Sequence, residues 1–520
     1  MTSILLSACA GLLAAYAFLW ALLHLSQDGR EPLPVDITIP FISPIINMYR
    51  LGFKYYTTNS ISPVNTVRLP GARLYVINST ALIPIVQRHT RVMSFSPILV
   101  ALTTTMVGIS KPGRDVAFYE PLENHGFALG VSRTIHESLA PGKRLDALNR
   151  RAIRCLADSL DHFASVGKPR TVKMYEWITH EVMMATTEGV YGPKNPYRNA
   201  QTRKAWLEFE PGLIPLLVGI LPGLTARKSL KARDLLIKAY ENYFTNEGHL
   251  DPETSAFTKA RIDFSVQRGL SVSDMARMEA STSIGILANT LPATFWLVYH
   301  ILSDPIVMED CRKELSGART TKNDTHEIDM AYIKTSCPIL LSTFQEVFRY
   351  HGLGTSARMM MEDHMLDDQY LLKKGNVVLI PAAVQHRSQS AWGEDAAQFS
   401  HRRFVRGPGQ KRHNPTAFRG FGGGSTLCPG RHFASTEILA FAAFIVLRFK
   451  FQPIKGDWEE PPVEHSNLAT AMQKPDLDLE VEIGVQDDKR WIVTLSGTDK
   501  PMEVTAEDIE KTEVKDASAV

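Results

Sequence analysis

Residues 4–25 are almost entirely apolar, interrupted mainly by Ser7 and His24. That run is long enough for a helix to cross a bilayer, which takes about 20 residues. A cleaved secretory signal is the rival reading, but no Lys or Arg precedes Ile4, and the first is Arg30. The run therefore predicts a membrane anchor over 1–28, and the placement of Arg30 leaves the body of the protein on the cytosolic side. No later segment has the length and purity of a second span. Next come Glu31-Pro32-Leu33-Pro34, Pro40 and Pro44. Prolines hold φ and lack a donor, so 29–45 reads as a stiff connector.

From about 145 to 345 the apolar positions recur every three or four residues, the spacing of helices with one buried face. The clearest cover 152–163, 175–191, 229–245, 273–302 and 339–350. Ser271 or Ser273 is placed to cap the fourth, which would be unusually long. Between 365 and 380 the texture becomes strand-like around Lys374-Gly375-Asn376, ending in Val377-Val378-Leu379-Ile380-Pro381. A further helix is expected over 431–448, with strands over 476–483 and 491–495. From 497 the chain turns polar and acidic, and a loose tail is expected over 497–520. The pattern predicts a mainly α protein with a small β portion concentrated toward the C-terminal side.

Composition narrows the class. Hydrophobic residues make up 44% and charged residues 22% of 520 positions, values of a globular chain rather than a disordered one. The 57 basic and 55 acidic side chains nearly cancel, so there is no concentrated basic field of the kind a bulk nucleic-acid binder needs. The five cysteines (Cys9, Cys155, Cys311, Cys337, Cys428) are scattered and form no CxxC pair. A disulfide framework and a structural zinc site are both unlikely on that spacing, whereas one functional thiolate fits it.

The candidate thiolate is Cys428. It lies in Phe421-Gly422-Gly423-Gly424-Ser425-Thr426-Leu427-Cys428-Pro429-Gly430, immediately before an apolar helix. Glycines let backbone approach a flat ligand closely. A helix N-terminus favours a thiolate, and a thiolate is the electron-donating axial ligand that promotes O–O cleavage on haem iron. The pattern Phe-x-x-Gly-x-x-x-Cys-x-Gly would arise by chance about once in a thousand chains of this composition.

At these residues the chain resembles the cytochrome P450 superfamily, the haem-thiolate monooxygenases, of microsomal type. Glu346-Val347-Phe348-Arg349 is similar to its E-x-x-R helix, and Phe399-Ser400-His401-Arg402-Arg403-Phe404 to its F-x-x-x-R-F stretch. The order of ExxR, then Lys374-Gly375 and its strand, then Arg403-Phe404, then the cysteine loop is more specific than any one of them. The resemblance implies a single haem-binding catalytic domain over 46–496, with haem b held by Cys428 as axial ligand within a cradle that includes Phe421, Gly424 and Gly430. It also implies a buried network of Glu346, Arg349 and Arg403, and a haem propionate partner in Arg358.

Two departures bear on chemistry. The family usually has Arg or His two residues before the cysteine; this chain has Thr426, which carries no charge. The tryptophan-plus-basic helix that the family places near 120–145 finds no match here either. In the oxygen-activation helix the family pairs an acid with an alcohol, whereas this chain has Ala288-Asn289-Thr290-Leu291-Pro292-Ala293-Thr294-Phe295-Trp296. That stretch resembles the steroid 7α-hydroxylase and prostacyclin synthase branch. Pro292 offers no N–H to the carbonyl of Ala288, so the helix should kink there. The freed carbonyl and the Asn289 amide could then hold a water in place of the acid–alcohol pair, with Ala288, Asn289 and Thr290 as the candidate catalytic residues.

The leading expectation is a monooxygenase acting on a lipophilic small molecule (a sterol, terpenoid or other secondary metabolite). Electrons would come from NADPH through a separate NADPH–cytochrome P450 reductase, since no G-x-G-x-x-G fingerprint marks a fused dinucleotide domain. Lys411, Arg412 and Arg431 are candidates for its docking patch, with a plain solvated face as the alternative. A single-pass protein of the endoplasmic reticulum membrane, its catalytic domain cytosolic, is the expected setting. Two other functions stay open: a reductase-independent haem isomerase or dehydratase acting on a peroxide or oxygenated lipid, and a non-catalytic haem-binding protein.

Overall fold

The computed structural model describes residues 2–118, 127–219, 221–406, 413–467, 469–495 and 508. The expected tail therefore lies outside the described residues except for Asp508, and so do Lys411, Arg412 and the stretch 119–126. The described chain is mainly helical, with one six-stranded sheet and three smaller ones. It forms two compact units, one of Met1–Ile98, Leu353–Ala397 and His413–Thr426, the other of Leu99–Gly352, Gln398–Arg412 and Leu427–Val520.

The first unit holds the six-stranded sheet, and the sheet corrects one expectation. Four of its strands come from the N-terminal part of the chain: Pro34–Val35, Val64–Leu69, Ala72–Ile77 and Met93–Ser94. Nine of the fourteen described strands do lie from Arg319 onward, but the largest sheet draws most of its strands from the N-terminal part. Val64–Leu69 and Ala72–Ile77 form an antiparallel hairpin with Leu69 opposite Ala72, so only Pro70 and Gly71 make the turn. Gly71 has φ 73°, a conformation that costs glycine little. Pro-Gly between two β-branched stretches was the available signal. Val377–Pro381 joins this hairpin to Thr355–Met360, parallel to Ala72–Ile77 and antiparallel to Thr355–Met360. Tyr75, Ile77, Ile83, Val86, Leu372 and Val378 form part of the core beneath.

The apolar N-terminal run is a helix, Thr2–Ser26, exposed over most of its length with Leu23 buried, and long enough to cross a bilayer. Its end is tied to the sheet. The Ser26 carbonyl accepts from Arg73 Nη2 at 2.7 Å, and Arg68 Nη2 donates to Ser26 Oγ at 2.6 Å. Five residues on, the fully buried carboxylate of Glu31 pairs with Arg73 at 3.0 Å and Lys373 at 2.9 Å. Pro34–Val35 then adds to the sheet beside Val64–Leu69.

In the second unit the helical spacing reads directly onto helices. Lys143–Ser165 buries Leu145, Leu148, Ala152, Leu156, Leu160 and Phe163, the apolar stripe that the sequence shows. The long helix expected over 273–302 is two helices, Val272–Leu287 and Thr290–Ser303, interrupted at Ala288 and Asn289. Ser271 caps the first, accepting from the Asp274 N–H, while Ser273 bonds Glu241 instead. The strand expected over 476–483 begins only at Glu480. Before it, Asp478 turns its carboxylate to the first N–H groups of helix Met174–Tyr191, at Tyr175 and Glu176.

Candidate active site

Helix Pro338–Tyr350 places Glu346 and Arg349 one turn apart on the same face, both fully buried. Arg349 grips the carboxylate with two parallel bonds, Nε to Oε2 and Nη2 to Oε1, each 2.7 Å. Arg403 Nε donates to Oε1 at 3.0 Å, and the Ser400 N–H adds a fourth bond at 2.9 Å. The Gln398 carbonyl accepts from both guanidiniums, at 2.9 Å from Arg349 and 3.1 Å from Arg403. Glu346, Arg349 and Arg403 therefore form one cluster that fastens the 398–403 segment to the helix.

The cysteine loop begins in the first unit, where Phe421 is buried and Gly424–Thr426 make a single 3-10 turn. Thr426 Oγ1 lies 3.3 Å from Ser356 Oγ and 3.0 Å from the Gly423 carbonyl. In the second unit Cys428 precedes helix Arg431–Arg448, whose residues are nearly all buried. Apolar surroundings push the Cys428 thiol up, while the N–H groups of Gly430 and Arg431 and the Arg431 charge pull it down. At Gly430 an added Cβ would stand 3.9 Å from the sulfur. Arg431, expected on a solvated docking face, is instead buried and paired with Asp508 at 2.6 Å. A guanidinium held this way is not available to a partner protein.

In the broken helix, Asn289 has φ −107° and ψ −32°, and its carbonyl accepts from Ala293 at 3.1 Å. Its side-chain oxygen is already engaged, accepting the Ala471 N–H at 2.7 Å. Thr290 is buried, and its carbonyl accepts from Thr294 Oγ1. A small cavity beside the break is lined by Tyr175, Trp206, Ala288, Leu291, Pro292 and Met472. Trp296 stacks on His351 with centroids 3.8 Å apart and donates its indole N–H to the Gln473 carbonyl. The break, the end of the Glu346 helix and the Ala471–Gln473 stretch are thereby tied together.

Arg358, on strand Thr355–Met360, is 1% exposed, and its Nε, Nη1 and Nη2 find no hydrogen-bond partner among the described residues. The sequence reading overlooked Arg419, also buried, whose signal was a lone arginine between Phe418 and Gly420. It overlooked Ala471 too, for which a one-dimensional pattern holds no signal.

The chain belongs to the cytochrome P450 family, whose model matches residues 199–481, and it is a P450 monooxygenase. Two of its relatives are matched over most of the chain. It is 34% identical over 464 residues to the cytochrome P450 monooxygenase nodJ of Hypoxylon pulicicidum, covering 86% of this chain and 88% of that one. A cytochrome P450 monooxygenase of Gibberella zeae is 27% identical, covering 86% and 87%. The cholesterol 7-alpha-monooxygenase of Cricetulus griseus is 24% identical over 52% of this chain and 56% of its own.

The family's cofactor is a haem iron, and the residues present fit it. Burying a guanidinium with three unsatisfied nitrogens costs several kcal/mol unless an anion meets it. The carboxylate edge of a haem is such an anion, and Arg358 is such a guanidinium. Cys428, with two N–H groups influencing its sulfur, has by itself the chemistry of a soft iron ligand.

Proposed function

We propose that Cys428 ligates the iron of haem b as a thiolate and that the enzyme hydroxylates a lipophilic small molecule (a sterol, a terpenoid or a related secondary metabolite). Electrons come from NADPH through a separate NADPH–cytochrome P450 reductase. The observation that carries this reading is the place of Cys428, immediately before the buried helix Arg431–Arg448, where the Gly430 and Arg431 N–H groups offset part of the rise that burial imposes on its thiol. Haem so ligated uses dioxygen, two electrons and two protons to place one oxygen atom in a C–H bond and release the other as water.

The remaining roles follow from the chain's own groups. Phe421, Gly424 and Gly430 shape the loop around the cofactor, and Arg358 meets one of its carboxylates. The Glu346–Arg349–Arg403 cluster holds the supporting backbone rigid. Because Asn289 Oδ1 is committed to Ala471, its NH₂ is the half of the amide that can donate to a water. The carbonyl of Ala288, denied an N–H by Pro292, accepts from the same water, and the water so held is the group that can hand a proton inward. Thr290 bounds this site. The arrangement is that of a single-pass endoplasmic reticulum protein, with anchor 1–28, connector 29–45, cytosolic catalytic domain 46–496 and tail 497–520.

The test is spectroscopic and then kinetic. The ferrous carbon monoxide complex should show the red-shifted band of thiolate ligation, and Cys428→Ser should abolish it. Product formation from a lipid that shifts the haem spin state should require both reductase and NADPH. An unchanged spectrum in Cys428→Ser overturns the ligand assignment. Turnover without reductase would place the enzyme among isomerases or dehydratases instead.

A further inference from the structure

We infer that His300, His351 and Glu460 bind a divalent transition-metal ion of the zinc class. One nitrogen of each imidazole and one carboxylate oxygen lie within 4.8 Å of one another. His300 stands in the last turn of helix Thr290–Ser303, and His351 directly follows helix Pro338–Tyr350. Glu460 comes from an irregular segment well beyond both helices. Two histidines and a glutamate are a donor set that zinc accepts in three-ligand sites, with water in the fourth position.

The rings are buried and already face each other, Nε2 to Nε2 at 2.8 Å. Trp296 stacks on His351 with planes 12° apart, and Phe399 stacks on His300 with centroids 3.7 Å apart and planes 6° apart. Either ring could turn away only by giving up its stack. His351 Nδ1 meets Gln473 Oε1 at 3.1 Å. An amide oxygen only accepts, so Nδ1 carries the hydrogen and the Nε2 lone pair points at His300. Gln473 is itself fastened at the backbone, its N–H donating to the His351 carbonyl at 2.9 Å and its carbonyl accepting from Trp296 Nε1 at 2.8 Å. Metal-binding histidines ordinarily have such an outer group, which sets the tautomer and the ring orientation.

Without an ion, a single hydrogen on His300 Nε2 bridges the pair. A metal ion takes its place: that hydrogen passes to His300 Nδ1, no proton is lost overall, and both Nε2 lone pairs face the ion. Zinc–nitrogen bonds at a tetrahedral angle set the two nitrogens about 3.3 Å apart, so the rings need to part by only about half an ångström. Glu460 adds the negative charge that the rings lack, and it does so from the exposed side, where an ion can enter. Imidazole nitrogen favours zinc, copper and nickel over magnesium and calcium. The ion would join the ends of two helices to the segment around Glu460, all within the second unit.

The experiment titrates zinc chloride into EDTA-treated, full-length holoenzyme by calorimetry, then reads the zinc X-ray absorption edge of the loaded protein. An ion should bind with a Kd of about 10 μM or tighter, and magnesium in roughly hundredfold excess should not displace it. Its scattering shell should contain imidazole and oxygen. Glu460→Gln should weaken binding at least about 10-fold, and His300→Phe, which keeps an aromatic ring on Phe399, should remove it. Wild-type binding weaker than about 10 μM, or a loss smaller than about 10-fold in Glu460→Gln, overturns the inference and leaves the histidine pair as a hydrogen-bonded core contact. A sulfur-containing shell overturns it too, by moving the ion to a cysteine. Because Glu460 is exposed, its variant decides the matter even if His300→Phe does not fold. The ferrous carbon monoxide band, recorded on the same samples, reports on Cys428 alone, so either assignment can fail without the other.

Discussion

Glu437 sits nine residues beyond Cys428, fully buried, with Thr186 Oγ1 donating at 2.9 Å to either of its oxygens. Burial pushes its carboxyl from 4.5 up to about 8. A raised carboxyl binds its proton more tightly in the folded chain. Its contribution is therefore complete below about 4.5 and is lost as pH rises through about 8. By pH 7 the deficit reaches about 3 kcal/mol. Thermal melts of wild type and Glu437→Gln should converge near pH 5 and separate toward pH 8, with the variant more stable. Parallel curves would show that this carboxyl does not couple to folding. Among the candidate site residues, Cys428, Glu346, Arg349 and Arg403 stand out in the sequence because each belongs to a short motif in a fixed order. Ala471 does not, because it meets Asn289 only across 182 residues of chain.

At the scale of elements, amphipathic helices were legible wherever one face packs and the other is wet. The interruption at Ala288–Asn289 was partly legible, since Pro292 announced a kink but not that the helix would divide. What divides it is a tertiary bond, Asn289 to Ala471, spanning 182 residues. The N-terminal hairpin was overlooked because attention fell on helical spacing, although Pro70-Gly71 marked its turn. Pro292→Ala tests the break. The new N–H can reach the Ala288 carbonyl, adding about 1 kcal/mol of helix stability while consuming the acceptor. A Tm equal to or above wild type is expected, with product per NADPH falling about 100-fold, the lower range for loss of a proton-transfer group. Unaltered coupling would remove the kink from proton delivery.

For the whole molecule, sequence order identified the family and the class of reaction, because the motif-bearing last third is where one-dimensional spacing is most constrained. It did not reveal how the anchor meets the body. That junction is built from Arg68, Arg73, Glu31 and Lys373, whose side chains converge from distant points. Shortened chains should feel it. A chain starting at Gln27 keeps the Glu31 cluster and should melt close to wild type. One starting at Pro34 strands three cations around a missing carboxylate and should lose about 3–5 kcal/mol, read as a lower Tm and lower haem content. Equal stability of the two would show that Glu31 contributes nothing beyond the anchor.

The bonds from Ser26 to Arg68 and Arg73 tie the end of helix Thr2–Ser26 to the sheet. In a bilayer, such a mast sets the tilt of the sheet above the lipid and leaves spinning about the membrane normal as the main rotation. For the membrane setting and separate reductase proposed above, a donor anchored in the same leaflet would search a plane for one heading, instead of a volume for a full orientation. Collision frequency is thereby governed by lateral diffusion and surface density, so lipid viscosity should set the pace of electron delivery.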